Sequence, residues 1–178
     1  ARQRVLEAGE LLIMTITLLE ENDKPVPNKA IRDRYNNIKS TNNDGKVTYT
    51  HVFELPKKLE LTYDFDGDSN YLPAHDSIMV EWTKKTSVLT CTADKTSVTV
   101  GETVTLTATV KSDGVNVNEG QVDFGDGVLV DVSNGTAVKT FTKQTPTVLT
   151  VTPLYKGTST YTTATASSLT LTWIEEQV

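Results

Sequence analysis

Hydrophobic and polar residues alternate along short stretches of this chain, and the alternation predicts β-strands. In the clearest stretch, residues 103–110, threonine at every odd position alternates with Val104, Leu106, Ala108 and Val110. β-branched side chains at alternate positions suit a pleated sheet with one buried face and one wet face, which predicts antiparallel pairing. No stretch keeps the apolar spacing of an amphipathic helix over three turns. The chain is therefore predicted to be all-β.

The same alternation divides the whole chain into short strands separated by Gly, Asp, Asn and Pro. Hairpin dipeptides such as Asp44-Gly45 and Asn134-Gly135 fit between them. Evenly spaced short strands of this kind are typical of a β-sandwich. The predicted strands are residues 11–19, 30–34, 47–53, 59–65 and 77–82 in the first half, and 87–93, 97–100, 103–110, 121–124, 128–132, 137–141, 148–152 and 168–173 in the second.

One pattern occurs twice along the chain. Gly9-Glu10 before the first strong alternation returns as Gly101-Glu102, and Trp82 returns as Trp173. A repeat of this length exceeds a solenoid unit, so each copy is predicted to bury its own core. We predict two domains, residues 1–83 and 84–178.

Strand parity also predicts which side chains face inward. Leu11 and Ile13 are expected on the face opposite the first core, where they form an apolar surface. The predicted cores are led by Leu12, Met14, Ile16, Leu18, Phe65 and Val80 in the first domain and by Val104, Leu106, Ala108, Val110, Tyr155 and Leu171 in the second.

Several of these segments resemble a known class of repeat. The residues on which the resemblance rests are Gly9-Glu10, Lys24-Pro25-Val26-Pro27-Asn28-Lys29 and the stretches 44–48, 65–71, 120–124 and 134–137. They are similar to the immunoglobulin-like repeats of large prokaryotic surface proteins, with the adhesin-like proteins of methanogenic archaea the most similar in style. Residues 1–6 and 31–38 depart from the pattern, because they are more basic and less strand-like.

The resemblance implies two tandem immunoglobulin-like antiparallel β-sandwiches in an extracellular, cell-surface protein. The expected function is adhesion or a stalk, with neighbouring immunoglobulin-like domains of the parent protein as partners. Two alternatives stay open. One is a module that binds a host or cell-surface glycan or protein, for which Tyr63, Tyr71, Asp64 and Asp68 are the best local set. The other is an accessory domain pair of a virion protein or a cell-wall enzyme.

Charge and residue usage argue against several other classes. The net charge of −6 and the scattered Lys and Arg residues give no basic face for nucleic acid. No apolar run approaches the length of a membrane span, and no signal peptide is expected in the sequence. The single cysteine, Cys91, is predicted to be a small core residue, and His51 and His75 to be surface or edge residues. We therefore expect no enzyme and no cofactor.

An acidic hairpin in the first domain is a weak candidate for calcium. Asp64, Asp66, Asp68 and Asn70 supply the oxygen ligands that Ca²⁺ prefers. The second copy keeps Gly157 but replaces the acids, so the residues common to both copies are those of a turn. We favour a structural hairpin and keep calcium as the alternative.

Three other residues carry specific expectations. Asn134 begins the sequon Asn-Gly-Thr at a hairpin tip, which predicts a glycosylation acceptor unless the turn alone explains it. Trp82 ends the first domain where the second begins, so it is expected to pack at the junction. Trp173 lies at the equivalent position of the second domain and would then be partly exposed. The alternative is that each Trp closes its own core.

Overall fold

The computed structural model describes residues 2–175, which form strands and turns. The chain divides into two compact units, Ala1–Lys84 and Lys85–Val178. Helices are absent from the described residues, so this part of the chain holds no helix of the length and apolarity that crossing a membrane requires.

The first unit is a two-layer sandwich. One sheet has the strand order β1-β7-β6-β3-β4, and the other pairs β2 with β5. In the described part of the unit the strands are β1 (Gln3–Glu7), β2 (Leu12–Thr17), β3 (Ala30–Asp33), β4 (Ile38–Ser40), β5 (Lys46–His51), β6 (Lys57–Phe65) and β7 (Ala74–Thr83).

The second unit repeats this plan with additional short strands. β10 pairs with β14 and β11 and, on its other edge, with β8. A second group has the order β13-β12-β16-β17, and a third the order β15-β18-β9. The bounds are β8 (Val88–Ala93), β9 (Ser97–Thr99), β10 (Thr103–Ser112), β11 (Val115–Asn116), β12 (Gln121–Asp123), β13 (Leu129–Asp131), β14 (Thr136–Thr142), β15 (Thr147–Val151), β16 (Leu154–Tyr155), β17 (Ala164–Thr165) and β18 (Leu169–Ile174).

Most strand pairs are antiparallel as predicted, and one pair in each unit is parallel. β1 runs parallel to the last strand of its unit, β7, and β9 runs parallel to β18. The expectation that residues 1–6 are poorly strand-like is wrong, because β1 pairs along its whole length and buries Leu6. Alternation within a strand predicts its faces and carries no information on the direction of its partner.

The predicted second core is confirmed, and the predicted first core is confirmed in part. All six residues named for the second core are buried, as are Leu12, Phe65 and Val80 in the first. Leu11 and Ile13 are 56% and 61% exposed, which confirms the register of the first strong alternation. The remaining members, Met14, Ile16 and Leu18, are only half-buried against the first core.

The two tryptophans belong to the cores. Trp82 and Trp173 are each 1% exposed and lie in the core clusters of their own units. Trp82 Nε1 donates to Glu10 O at 3.0 Å, and Trp173 Nε1 donates to Glu102 O at 2.9 Å. The expectation that Trp173 is partly exposed is wrong, because its indole is enclosed by its own sandwich and its only polar group is paired there.

Candidate functional site

The carboxylates of the acidic hairpin each contact a different basic side chain. Asp64 Oδ1 lies 2.6 Å from His75 Nδ1 across the β6–β7 ladder. Asp66 accepts two hydrogen bonds from Arg32, of 2.7 and 3.0 Å. Asp68 Oδ2 accepts from Lys29 Nζ at 2.5 Å. The carboxylate oxygens of these three candidate calcium ligands are thus engaged by separate basic side chains.

Asp68 also organises the turn itself. Its Oδ1 accepts the backbone N–H of Asn70 at 2.8 Å and of Tyr71 at 3.0 Å. The hydrogen bond from Lys29, followed by the backbone donors, holds the pKa of Asp68 below its ordinary value. Gly67 has a φ of 81°, and a Cβ there would lie 2.8 Å from Pro73 N, so the hairpin requires glycine.

The second copy builds the same turn without charge. Thr158 Oγ1 accepts the backbone N–H of Thr160 and of Tyr161, both at 3.1 Å, in place of the carboxylate. Gly157 takes the position of Gly67 with a φ of 69°. Across residues 2–175 no group of three or more His, Cys, Asp or Glu side chains has the arrangement of a metal site. The residues common to both copies thus form the same hairpin turn.

The two histidines lie in contrasting environments, and only His75 is the surface residue that the sequence predicted. His51 is buried in β5, and its Nε2 lies 2.9 Å from Tyr63 Oη. Burial lowers the pKa of His51. His75 lies exposed in β7, and its hydrogen bond with Asp64 raises its pKa. The signal for His51 was present in the sequence, since it shares the inward parity of Val47 and Tyr49.

A buried polar cluster in the first unit has no counterpart in the sequence predictions. Asp33, 3% exposed, accepts backbone N–H bonds from Tyr35 and Asn37 at 2.9 and 2.8 Å. Tyr49 Oη donates to Ile31 O at 2.6 Å. Tyr63 is buried as well, and burial raises its pKa.

The burial of Tyr63 corrects the proposed ligand-binding set. Its ring faces the core and contacts His51, whereas Asp64 and Asp68 are engaged at the other face and in the turn. Tyr71 is half-buried and donates its hydroxyl to Glu20 Oε1 at 3.2 Å. The four residues therefore do not converge on one surface.

Cys91 and Asn134 lie in positions that fit their simplest interpretations. Cys91 is half-buried against the second core, and burial raises the pKa of its thiol, which disfavours the reactive thiolate. Asn134 is exposed with a φ of 49° at the tip of its hairpin. The hydroxyl of Thr136 donates to Ser133 O at 3.1 Å, so the residue that completes the sequon also closes the turn.

The parallel pairs β1–β7 and β9–β18 join the first and last strands of their sheets. Hydrogen bonds extend each pair beyond its strands. Ala8 N donates to Thr83 O at 2.8 Å, and Val100 N donates to Ile174 O at 2.9 Å. We call β1–β7 and β9–β18 the terminal pairs.

Comparison with known proteins bears on the fold. Neither the protein-family models nor the curated proteins gave a match. Among solved structures, the chain is similar to the titin domains z1z2 (from a complex with telethonin), with a TM-score of 0.51, 14% identity and coverage of 98% of this chain and 94% of that one. It is also similar to the D0-D1 domain of intimin (TM-score 0.40, 18% identity, 96% and 94% covered). A third similarity is to the Escherichia coli adhesin FdeC (TM-score 0.40, 18% identity), of which the chain spans 61% while 96% of the chain itself is covered.

The strand pairings and the similarity to the titin domains define the structural class. The chain is all-β and has the immunoglobulin-like β-sandwich fold. Identities of this size concern the fold alone, so the function has to be argued from the chain's own residues.

Proposed function

We propose that this chain is a non-catalytic pair of immunoglobulin-like modules in an extracellular, cell-surface protein of the adhesin type, and that it serves as a stalk or spacer that carries tension. The observation that carries the proposal is the terminal pair of each unit. The resemblance to repeats of adhesin-like proteins of methanogenic archaea belongs to the same proposal, as do neighbouring immunoglobulin-like domains as partners.

The geometry of a terminal pair resists extension. In a parallel pair, the amino end of one strand and the carboxyl end of the other lie at opposite ends of the ladder. Tension applied at those two ends therefore slides the strands along each other and loads all their hydrogen bonds together. β1 and β7 are in register over Gln3–Glu7, which gives a continuous set of bonds to break at once.

The engagement of the chemically active side chains supports a non-catalytic role. Asp64, Asp66 and Asp68 contact basic side chains, Tyr63 and His51 contact each other in the core, and Cys91 packs against the second core. For the alternative of a glycan- or protein-binding module, Tyr63 is no longer a candidate ligand-binding residue, because it is buried. The alternative of accessory domains of a virion protein or cell-wall enzyme shares the stalk role and differs in the parent protein.

A pulling experiment on the whole chain tests the load-bearing role. Two unfolding events are expected, each releasing roughly 300 Å of chain. Because Ala8 N donates to Thr83 O, the two-residue period directs the N–H of Arg4 toward β7 and that of Val5 away from it. Arg4→Pro should therefore lower the rupture force of one event, since proline removes a ladder donor.

Val5→Pro is the matched control, because both positions are exposed and only the first donates to β7. We expect Val5→Pro to keep most of the rupture force. Equal forces for Arg4→Pro and the unaltered chain would contradict the load-bearing role. Antibody against the chain should label intact cells that produce it, and labelling only after lysis would contradict the surface location.

A further inference from the structure

β2 and β10 hold the same place in their units, but one edge of β2 is open. Leu18 N donates to Gly45 O and Val110 N to Gly135 O, both at 2.8 Å, so the two strands are oriented alike. β10 pairs with β14 on one edge and with β8 on the other. β2 pairs with β5, the counterpart of β14, and no strand within residues 2–175 pairs with its other edge.

The open edge presents unpaired backbone groups. The bond from Leu18 to Gly45 and the two-residue period direct the N–H groups of Ile13, Thr15 and Thr17 away from β5. In the second unit the corresponding edge of β10 faces β8, where Thr105 O accepts Asp94 N at 3.0 Å. An edge of this kind is a template for another strand.

The inward side chains of β2 are also less buried than those of β10. Leu106, Ala108 and Val110 are 0% exposed, whereas their counterparts Met14, Ile16 and Leu18 are half-buried. The residues are apolar in both units, so sequence does not explain the difference. It follows from the strand that covers β10 and is missing over β2.

An apolar groove runs along the uncovered side of β2. One part, with a volume of about 290 Å³, is lined by Ile16, Leu18, Phe65 and Ala74 among others. The adjoining part, of about 390 Å³, shares the last three of these residues and continues to Tyr71 and Leu72. Leu72 is 88% exposed, so the far end of the groove also lacks a cover.

The second unit shows which kind of segment fills this path. Lys85 N donates to Thr160 O at 2.8 Å, and Thr162 N donates to Lys85 O at 3.0 Å, so the segment begins beside residues 160–162. These residues correspond to 70–72 in the first unit. The segment then continues as β8 along β10 and buries Leu89 in the core. Its alternation is aliphatic or thiol inward and Val or Thr outward.

We propose that the first unit binds an extended peptide strand in this groove, antiparallel to β2 and with aliphatic side chains at alternate positions, joined in cis to the amino side of β1. In the second unit β8 is connected through residues 94–96 to β9, the parallel partner of β18. In the first unit, β1 is likewise the parallel partner of β7. A strand joined ahead of β1 therefore reaches the edge of β2 by the same short connection, and the linkage raises its effective concentration.

A graft tests the proposal on the full chain. A copy of residues 85–92, with Ser in place of the copied cysteine, is joined directly ahead of Ala1. Amide exchange at Ile13, Thr15 and Thr17 should slow by about tenfold or more, as for a newly formed hydrogen bond, and the melting midpoint of the first unit should rise. A control extension has the same composition with its alternation shifted by one residue, and it should leave both quantities unchanged.

The outcomes separate the occupants. Equal exchange in the graft and in the shifted control would overturn the proposal. Full protection by the free peptide at micromolar concentration would show that a strand binds in trans and would overturn the cis linkage. Concentration-dependent protection in the unextended chain would identify a second copy as the occupant, with the same consequence. None of these results depends on where the protein is located or on whether it bears load.

Discussion

The edges of β2 and β10 show that the burial of a strand's inward side chains depends on the neighbouring strands. β10 carries four apolar residues at alternate positions on one side, and β2 with the adjoining Leu18 does the same. β10 has a neighbour on each edge, and its inward side chains are wholly enclosed. β2 has one paired edge, and three of its four inward side chains keep contact with solvent. Alternation therefore predicts direction, while burial depends on neighbours.

Truncation of equivalent core residues should give the largest effect. Leu106→Ala is expected to destabilise the second unit by about 2–5 kcal/mol, because it opens a cavity in a fully packed site. Met14→Ala, at the counterpart position, should cost its unit about half of that or less, since part of its surface is already in water. Urea unfolding followed by amide exchange in each unit measures both. Ile13→Ala is the exposed control, and equal losses at 106 and 14 would refute the comparison.

Glycines in the second unit should give the next largest effect. Gly157 and Gly114 have φ values of 69° and 77°, but a Cβ would lie 2.8 Å from Tyr161 O at the first and meet nothing within 4 Å at the second. Alanine at a left-handed position costs about 1–3 kcal/mol. Gly114→Ala should fall at the low end, and Gly157→Ala should exceed it. The two melting midpoints decide the matter, and a larger loss for Gly114→Ala would contradict the structure of the hairpin.

Exchange of the acceptor between the two hairpins should have a smaller effect. Thr158 and Asp68 accept bonds from the same two backbone positions, so Asp68→Thr should retain most of the melting temperature and Asp68→Ala should lower it. The ion pair with Lys29 is solvent-accessible and contributes little. If Asp68→Thr were as damaging as Asp68→Ala, the ion pair would be the main contribution and the turn acceptor the minor one.

The two histidines should make stability depend on pH in opposite directions, and both effects should be small. The pKa of His75 is raised above 6.5 by Asp64, so its contribution is present below pH 6.5 and is lost as pH rises through its folded pKa. Burial lowers the pKa of His51 below 6.5, so its contribution is present above that pH and is lost as pH falls through its folded pKa. NMR titration should show His75 titrating at the higher pH. Asp64→Asn should lower the pKa of His75 and leave His51 unchanged.

Sequence alone predicted the parts of the fold that depend on local chemistry. The long strands, their inward faces and the hairpins at Gly45 and Gly135 follow from alternation and from glycine's tolerance of positive φ. The equivalent positions of Trp82 and Trp173 were visible in the sequence as a repeat. Their enclosure depends on hydrogen bonds to Glu10 O and Glu102 O, more than 70 residues away in each case. Contacts between distant segments are not encoded in the spacing of one segment.

The missed elements share that cause. β1 lacks a clear alternation, and its parallel pairing with β7 joins residues at opposite ends of the unit. The other missed strands are β4, β11, β16 and β17, which have three residues or fewer. The partners of Asp64, Asp66 and Asp68 lie on other segments, so the sequence left calcium ligation open beside the favoured turn.

Amide exchange of the unextended chain tests the difference between the two edges most directly. With β2 open and β10 closed, Ile13, Thr15 and Thr17 should exchange much faster than Thr105, Thr107 and Thr109 under native conditions, while the alternate positions that face β5 and β14 remain protected in both strands. The predicted result is a two-residue alternation of fast and slow amides in β2 and uniform protection in β10. Uniform protection of both strands in the dilute chain would contradict the account.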